Sequence, residues 1–274
     1  MDTNCLKLLR LLELALLHGS GSRKAAGAVM CFSETTHVAL DFFDSRHPGM
    51  LYQKLIVCFA NSRKTLGRCI AGKEWNDGAP GSWIRPVSAR PSHEVSLDER
   101  RYQDGRDPSP LDILSIPCLS HQPIAHQSEN HLLDPNCYWE SNRSLPWQQV
   151  KNWLDRPQSL WGTGSSSYEF VNNRVIETAT VIESLYLIHV DELRILVGPK
   201  SADYPNRIVR GEFQYNHQQY RMSITDPIIE GQYLAAKDGC YTVLGPTLCV
   251  SLGDAFQGFY YKLIAAVLYE GRFL

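Results

Sequence analysis

Residues 55–87 read LIVCFANSRKTLGRCIAGKEWNDGAPGSWIRPV, and this stretch decides the fold. Leu55-Ile56-Val57-Cys58-Phe59 is a short apolar run with the length and β-branched content of a buried strand. Asn61-Ser62-Arg63-Lys64 behind it is polar and reads as a turn, and Arg68-Cys69-Ile70-Ala71-Gly72 reads as a second strand. The Gly and Pro of Gly78-Ala79-Pro80-Gly81-Ser82 predict another turn. Trp83-Ile84-Arg85-Pro86-Val87 is then a third strand, with Pro86 at an edge or a strand end. Strand, turn, strand, turn and strand make an antiparallel meander. Between Lys54 and Arg90 there are seven Lys/Arg against two acids, Glu74 and Asp77, with Trp75 and Trp83 alongside.

The whole chain carries no such excess. Its 274 residues have a formal net charge of -2, with 43% hydrophobic and 20% charged content, ordinary values for a globular protein. That length supports one large domain or two small ones. A near-neutral surface excludes a generally basic nucleic-acid binder, so affinity for phosphates must come from a local patch. The eight cysteines, Cys5, Cys31, Cys58, Cys69, Cys118, Cys137, Cys240 and Cys249, contain no C-x-x-C pair. They read as free thiols of a reducing cytoplasm rather than as zinc ligands. His121, His126 and His131 recur every five residues, a spacing that puts no common face on a helix, and they read as loop histidines.

Residues 1–49 differ from the rest. Leu6 to Leu17 is Leu-rich and helical in pattern, yet Lys7, Arg10 and Glu13 interrupt the apolar centre that a secretory signal requires. No stretch approaches a membrane span. The compact fold is expected to begin near Met50, leaving 1–49 as an appendage or an upstream mistranslation.

Beyond the meander, Ser92 to Pro108 is hydrophilic, and Leu111 to Ile116 reads as a strand ended by Pro117. Cys118 to Trp139 is a long polar segment. Ser144 to Asp155 reads as a helix, capped by Ser144, with Pro146 in its first turn and Trp147, Val150, Trp153 and Leu154 on one stripe. Gly162 to Ser167 is a flexible joint. Further strands are expected at Val175–Val181, Leu185–Val190, Leu193–Val197, Val209–Tyr215, Gln219–Ile224, Thr247–Leu252 and, as strand or terminal helix, Tyr260–Leu268. Asn216-His217 is a hairpin turn, and Asp226-Pro227 a strand stop. Many short strands with close turns predict a mostly β protein of two small barrels joined by a helix. The divisions are 1–49, 50–140 for the first barrel, 141–168 for the linker and 169–274 for the second.

No catalytic motif is present: no G-x-S-x-G, P-loop or H-E-x-x-H. The functional weight falls on Asn61, Ser62, Arg63 and Lys64, whose amide, hydroxyl and cations suit phosphate oxygens and base edges. Arg68, Lys73 and Arg85 add charge, and Trp75 or Trp83 offers a stacking face. The competing structural reading pairs these cations with acids and puts both tryptophans in the core. Glu129 and Asn130 in the long polar segment are a second candidate, able to accept from an exocyclic amine and to read a base edge. Asp104, Asp107 and Asp112, with Glu129, are the carboxylates available to a metal-dependent hydrolase or nuclease. Asp226 and Lys262, isolated among apolar strands, read first as a structural ion pair.

The segments CFANSRKTLGRCIAGKE (58–74), WIRPV (83–87), LDILSIP (111–117), HQSENHLLD (126–134), YRMSITDP (220–227) and LCVSLGDAFQGFYYKLIAAVL (248–268), in this order, resemble the dual OB-containing domain proteins of prokaryotic conflict systems. The resemblance covers about residues 51–270. It implies two tandem OB-like barrels that bind single-stranded nucleic acid or a nucleotide without catalysis or cofactor. A defence-effector protein is the alternative partner, and no membrane is implied.

Overall fold

The computed structural model describes residues 51–141, 143–161, 170–172, 183–201 and 204–272, and these residues are mostly β. The meander forms as β1 (Tyr52–Lys64), β2 (Gly67–Asn76) and β3 (Ala79–Val87). A one-turn helix, α1 (Leu97–Arg100), is closed by a Ser96–Glu99 capping box. Next come β4 (Ile113–His121) and β5 (Asn130–Leu133). β4 runs antiparallel to β1, while β5 lies parallel to β3 and antiparallel to β4, closing a barrel in the order β1-β2-β3-β5-β4.

β1 explains the apolar run that announces the fold. Ile56 and Cys58 point into the first barrel's core with Ile70, Leu114, Ile116 and Trp139. Val57 and Phe59 point the other way, into a second core with Leu185, Leu187, Ala265, Ala266 and Leu268. Successive side chains alternate faces, so a strand buried on both faces shows no polar alternation. Small side chains at Ala60, Ala71, Ala265 and Ala266 line this shared core between the barrels. Gly72 allows an equally close approach within the meander, because a Cβ there would collide with the Val57 carbonyl.

The second sheet contains β6 (Phe170–Asn172), β7 (Leu185–His189), β8 (Glu192–Ser201), β9 (Tyr204–Tyr215) and β10 (Gln218–Ile224). Helix α2 (Pro227–Ala235), capped by Asp226, precedes β11 (Gly239–Leu244), β12 (Thr247–Phe256) and β13 (Phe259–Leu268). Its order is β11-β8-β9-β10-β13-β12-β7, with β6 on β13 and the β10–β13 pair parallel. Its two ends belong to one ladder. Register runs unshifted from Gly239↔Val197 to Leu244↔Glu192, then from Thr247↔His189 to Ser251↔Leu185. Between them Gly245 N–H donates to Asp191 O at 2.8 Å and Val190 N–H to Pro246 O at 3.1 Å. β7–β8 and β11–β12 are therefore two bent strands paired throughout, and the sheet returns on itself with the same strand sequence as the first barrel.

Several expectations need correcting. Asn61–Lys64 is not a turn but the end of β1; the chain reverses at Thr65-Leu66. Asp77-Gly78 makes the next reversal, so Ala79 to Ser82 already belong to β3. Pro117 lies inside β4, opposite Gln53, and its carbonyl accepts from Asp134 N–H. The Ser144–Asp155 helix is a 3-10 helix over Trp147–Trp153 without a side-chain cap, and Ser144 instead donates to Asp112. Val150 and Trp153 bury in the shared core. The Asn216-His217 hairpin forms as expected, both residues having positive φ. Asp226 pairs with Arg272 rather than standing against Lys262. Leu6–Leu17, the Gly162–Ser167 joint and Val175–Val181 lie outside the described residues.

Candidate ligand groove

Most cations of the meander are paired with acids, several of them distant in sequence. Arg63 holds Glu230 of α2 through two hydrogen bonds of 2.8 Å, and Lys64 meets Asp254 at 3.0 Å. Lys54 pairs with Glu74 across the β1–β2 ladder at 2.5 Å. Lys73, nearly sealed from water, donates to Asp155 Oδ1 at 2.5 Å and to the Trp153 carbonyl at 2.8 Å. Arg85 is buried on Glu129. Ser62 is buried and donates to Cys69 O. Asn61 donates to Pro108 O at 2.7 Å and to Asp107, and with Arg68 it lines a small cleft of about 270 Å³ beside Pro227. Asn130 is buried on Gln127.

The sequence candidates thus divide into groups. Lys73, Trp83 and Glu129 line one groove of about 720 Å³, with Arg85 and Asn130 packed behind it. Arg63 and Lys64 instead tie the end of the first meander to the second barrel. The groove crosses β2 and β3, takes in the β4–β5 connection, and is completed by Glu183, Ser184 and Leu185 from the start of the second barrel.

Trp83 is the indole surface of this groove, which Tyr52, His121 and His131 also line. Its ring meets Phe59 in a T-shaped contact at 6.1 Å, Lys73 Nζ lies 5.2 Å from its centroid, and its Nε1–H donates to Asp155 Oδ2 at 3.2 Å. Asp155 also accepts from Leu187 N–H at 2.8 Å, so one carboxylate holds the indole, the ammonium and the second barrel together. Trp75 does not line the groove. Trp153 stacks on it at 5.8 Å and the Arg143 guanidinium lies 5.0 Å from its ring centroid.

Two ammoniums, Lys54 and Lys73, face four carboxylates, Glu74, Glu129, Asp155 and Glu183, around the groove. Three of those acids have ion-pair partners. Glu183 has none among the described residues. Burial, Asp155 and Glu129 push its carboxyl above the usual carboxylate range, against the pull of Lys73. At the far wall the Tyr52 hydroxyl and His131 Nδ1 share a hydrogen bond of 2.6 Å. Burial, Lys54 and His121 hold the His131 imidazole down at about 4, neutral at physiological pH. Burial raises Tyr52 to about 12.

The β4–β5 connection is clamped to the second barrel. His126 Nε2 lies 3.2 Å from Leu252 O, its ring meets Tyr260 edge-on at 4.4 Å, and Gln127 donates to Asp254 at 3.0 Å. Sequence reasoning missed His131, Tyr52, Asp155, Glu183 and Ser184. Apart from the recurrence of histidines that includes His131, nothing local marks them, since each reaches the groove through contacts with distant parts of the chain.

The carboxylates of the hydrolase alternative do not converge. Asp104 pairs with Arg106, Asp107 accepts two bonds from Arg100, and Asp112 accepts from Tyr102 and Ser144. Among the described residues, no three His, Cys, Asp or Glu are arranged to hold a metal. No helix among them is long and apolar enough to cross a membrane. The described cysteines are free thiols.

The strand order β1-β2-β3-β5-β4, repeated with two bent strands in the second sheet, defines a pair of OB-like barrels. The chain belongs to the family of the dual OB-containing domain, whose model matches residues 54–267. Among solved structures, the chain is similar to the crystal structure of the tetrameric p202 HIN2, with 9% identity, a TM-score of 0.28, and coverage of 81% of this chain and 98% of that one. That likeness is too distant to argue from. No curated protein matches.

Proposed function

We propose that this protein is a non-catalytic binding module that takes a base of single-stranded nucleic acid, or a nucleotide, in the groove beside Trp83. The observation that carries this reading is the position of the Trp83 ring. It lines a groove of about 720 Å³ across the β2–β3 face and the β4–β5 connection, the surface on which OB barrels receive oligonucleotides. A half-buried indole there offers a base a π-face worth about 1–3 kcal/mol. Arg63, Lys64, Lys73 and Arg85 already have carboxylate partners, so base contacts outweigh phosphate contacts. Soluble residence in a reducing cytoplasm, within a prokaryotic defence system, belongs to the same proposal.

Fluorescence anisotropy of short labelled ssDNA and ssRNA, with a nucleotide titration in parallel, tests it. Binding is expected to drop strongly in Trp83→Ala and to weaken only gently with salt. Absence of binding to oligonucleotides and nucleotides alike at low salt overturns the reading.

Exposed apolar side chains favour a second reading, docking of a defence-effector protein. Leu66 in the β1–β2 turn is 95% exposed and Phe256 at the end of β12 is 60% exposed, on segments joined by the Lys64–Asp254 pair. Pull-down with candidate effectors that is lost in Leu66→Ser/Phe256→Ser but kept in Trp83→Ala separates the two readings.

A further inference from the structure

The proposed base site also has a reader of the base edge. We propose that the groove selects guanine, with the Glu183 carboxylate accepting from its Watson–Crick edge while Trp83 stacks on its ring. This rests on the proposed function and specifies its ligand.

The charges of the groove leave one group without a counter-charge. Lys54 is held by Glu74, Lys73 by Asp155, and Glu129 by Arg85 and Ser184. Glu183 lines the same groove with no side-chain partner among the described residues. Its backbone is fixed, because its carbonyl accepts from Trp161 Nε1 at 2.5 Å and Ser184 beside it is buried on Arg85 and Glu129. The carboxylate therefore stands exposed on an anchored support, with no side-chain donor from the described residues.

An ionised carboxylate is an acceptor only, with two oxygens side by side. Guanine offers two adjacent donors, N1–H and the N2 amino group, matching both oxygens at once. Adenine offers N6–H beside an N1 acceptor, which faces the second oxygen with a lone pair. Cytosine pairs its N4 donor with an N3 acceptor, and uracil sets one N3–H between two carbonyls. Each leaves a carboxylate oxygen unmatched or repelled, so selectivity comes from rejecting the wrong edge as much as from binding the right one. A phosphate at this position would meet only repulsion. The elevated carboxyl pKa has the same origin, an acid among acids at a partly dry surface.

The test is titration of the full chain with GMP, IMP, AMP, CMP and UMP, followed by tryptophan fluorescence. GMP is expected to bind about tenfold tighter than AMP, with IMP, which lacks the N2 amino group, between them. In Glu183→Gln, an exposed position whose folding is checked by thermal melting, the GMP:AMP ratio falls to about one. Equal binding of all five nucleotides, a preference for AMP, CMP or UMP, or a guanine preference that survives Glu183→Gln overturns the inference and leaves the base site standing. No binding of any nucleotide or oligonucleotide overturns both.

Discussion

Arg85 and Glu129 meet at 2.9 Å where both side chains are almost sealed from water, and Ser184 of the second barrel binds to each of them. A charge pair so placed is costly to break from one side, because the surviving charge stays buried. Arg85→Ala is expected to lower stability by about 3–5 kcal/mol. The urea midpoint of the variant checks this. A midpoint equal to the wild type's would show Arg85 to be a free ligand contact rather than a structural ion.

The two tryptophans of the meander should behave oppositely. Trp83→Ala removes the groove's indole and should weaken base binding by about 1–3 kcal/mol. Trp75→Ala removes a ring held by Trp153 and Arg143, and its loss should appear as a lower melting temperature with nucleotide affinity intact. Titration and thermal melting of both variants separate the effects; a binding defect confined to Trp75→Ala would relocate the site.

Arg63 and Lys64 carry the most conspicuous charge in the sequence and little of the stability. The Arg63 side chain is half-exposed on Glu230, and Asp254 opposite Lys64 is exposed. Arg63→Ala and Lys64→Ala are each expected to cost at most about 1 kcal/mol, less at high salt. Oligonucleotide affinity should change by less than about threefold, on the order of 0.6 kcal/mol. A larger fall in anisotropy would return the phosphate contact to the end of β1.

His131 sets a pH limit. The unfolded ring titrates near 6.5 and the folded one near 4, because burial, Lys54 and His121 oppose its charge while Glu74 offsets them in part. Below pH 6.5 the unfolded chain therefore takes up a proton that the folded chain refuses until about pH 4. Stability should fall as pH drops through that window, by on the order of 2 kcal/mol. His126, its pKa also lowered by burial, adds to the same slope. Denaturant midpoints at pH 7 and 4.5 measure it, and His131→Gln should flatten the profile.

Much of the fold was legible because β-strands announce themselves locally. The run Leu55 to Phe59 reads as a buried strand, and it is one from Ile56 onward, with Leu55 exposed; the Asn216-His217 hairpin and the Asp226-Pro227 stop both stand. Where the reading failed, long-range pairing overrode local character. Asn61 to Lys64 looks like a turn by polarity, but Arg63 pairs with Arg68 in the ladder while its N–H binds Thr225 of the other barrel. Trp147, Val150 and Trp153 fall at intervals of three, the period of a 3-10 rather than an α-helix, a signal present and read with the wrong pitch. The site was half legible. Trp83 and Lys73 stand out by type, whereas their common partner Asp155 lies far along the chain and has no motif to mark it.

The core laid between β1 and β13 has a consequence for how this protein would report a ligand. Val57 and Phe59 from one barrel and Ala265, Ala266 and Leu268 from the other share one apolar interior, and the groove itself draws walls from both. Heating should then melt the pair in one cooperative transition. Occupancy of the groove would lift that single transition as a whole, by RT ln(1 + [L]/Kd). Neither barrel could be excised to report binding alone: cut apart, each half would carry an open apolar face and half a groove.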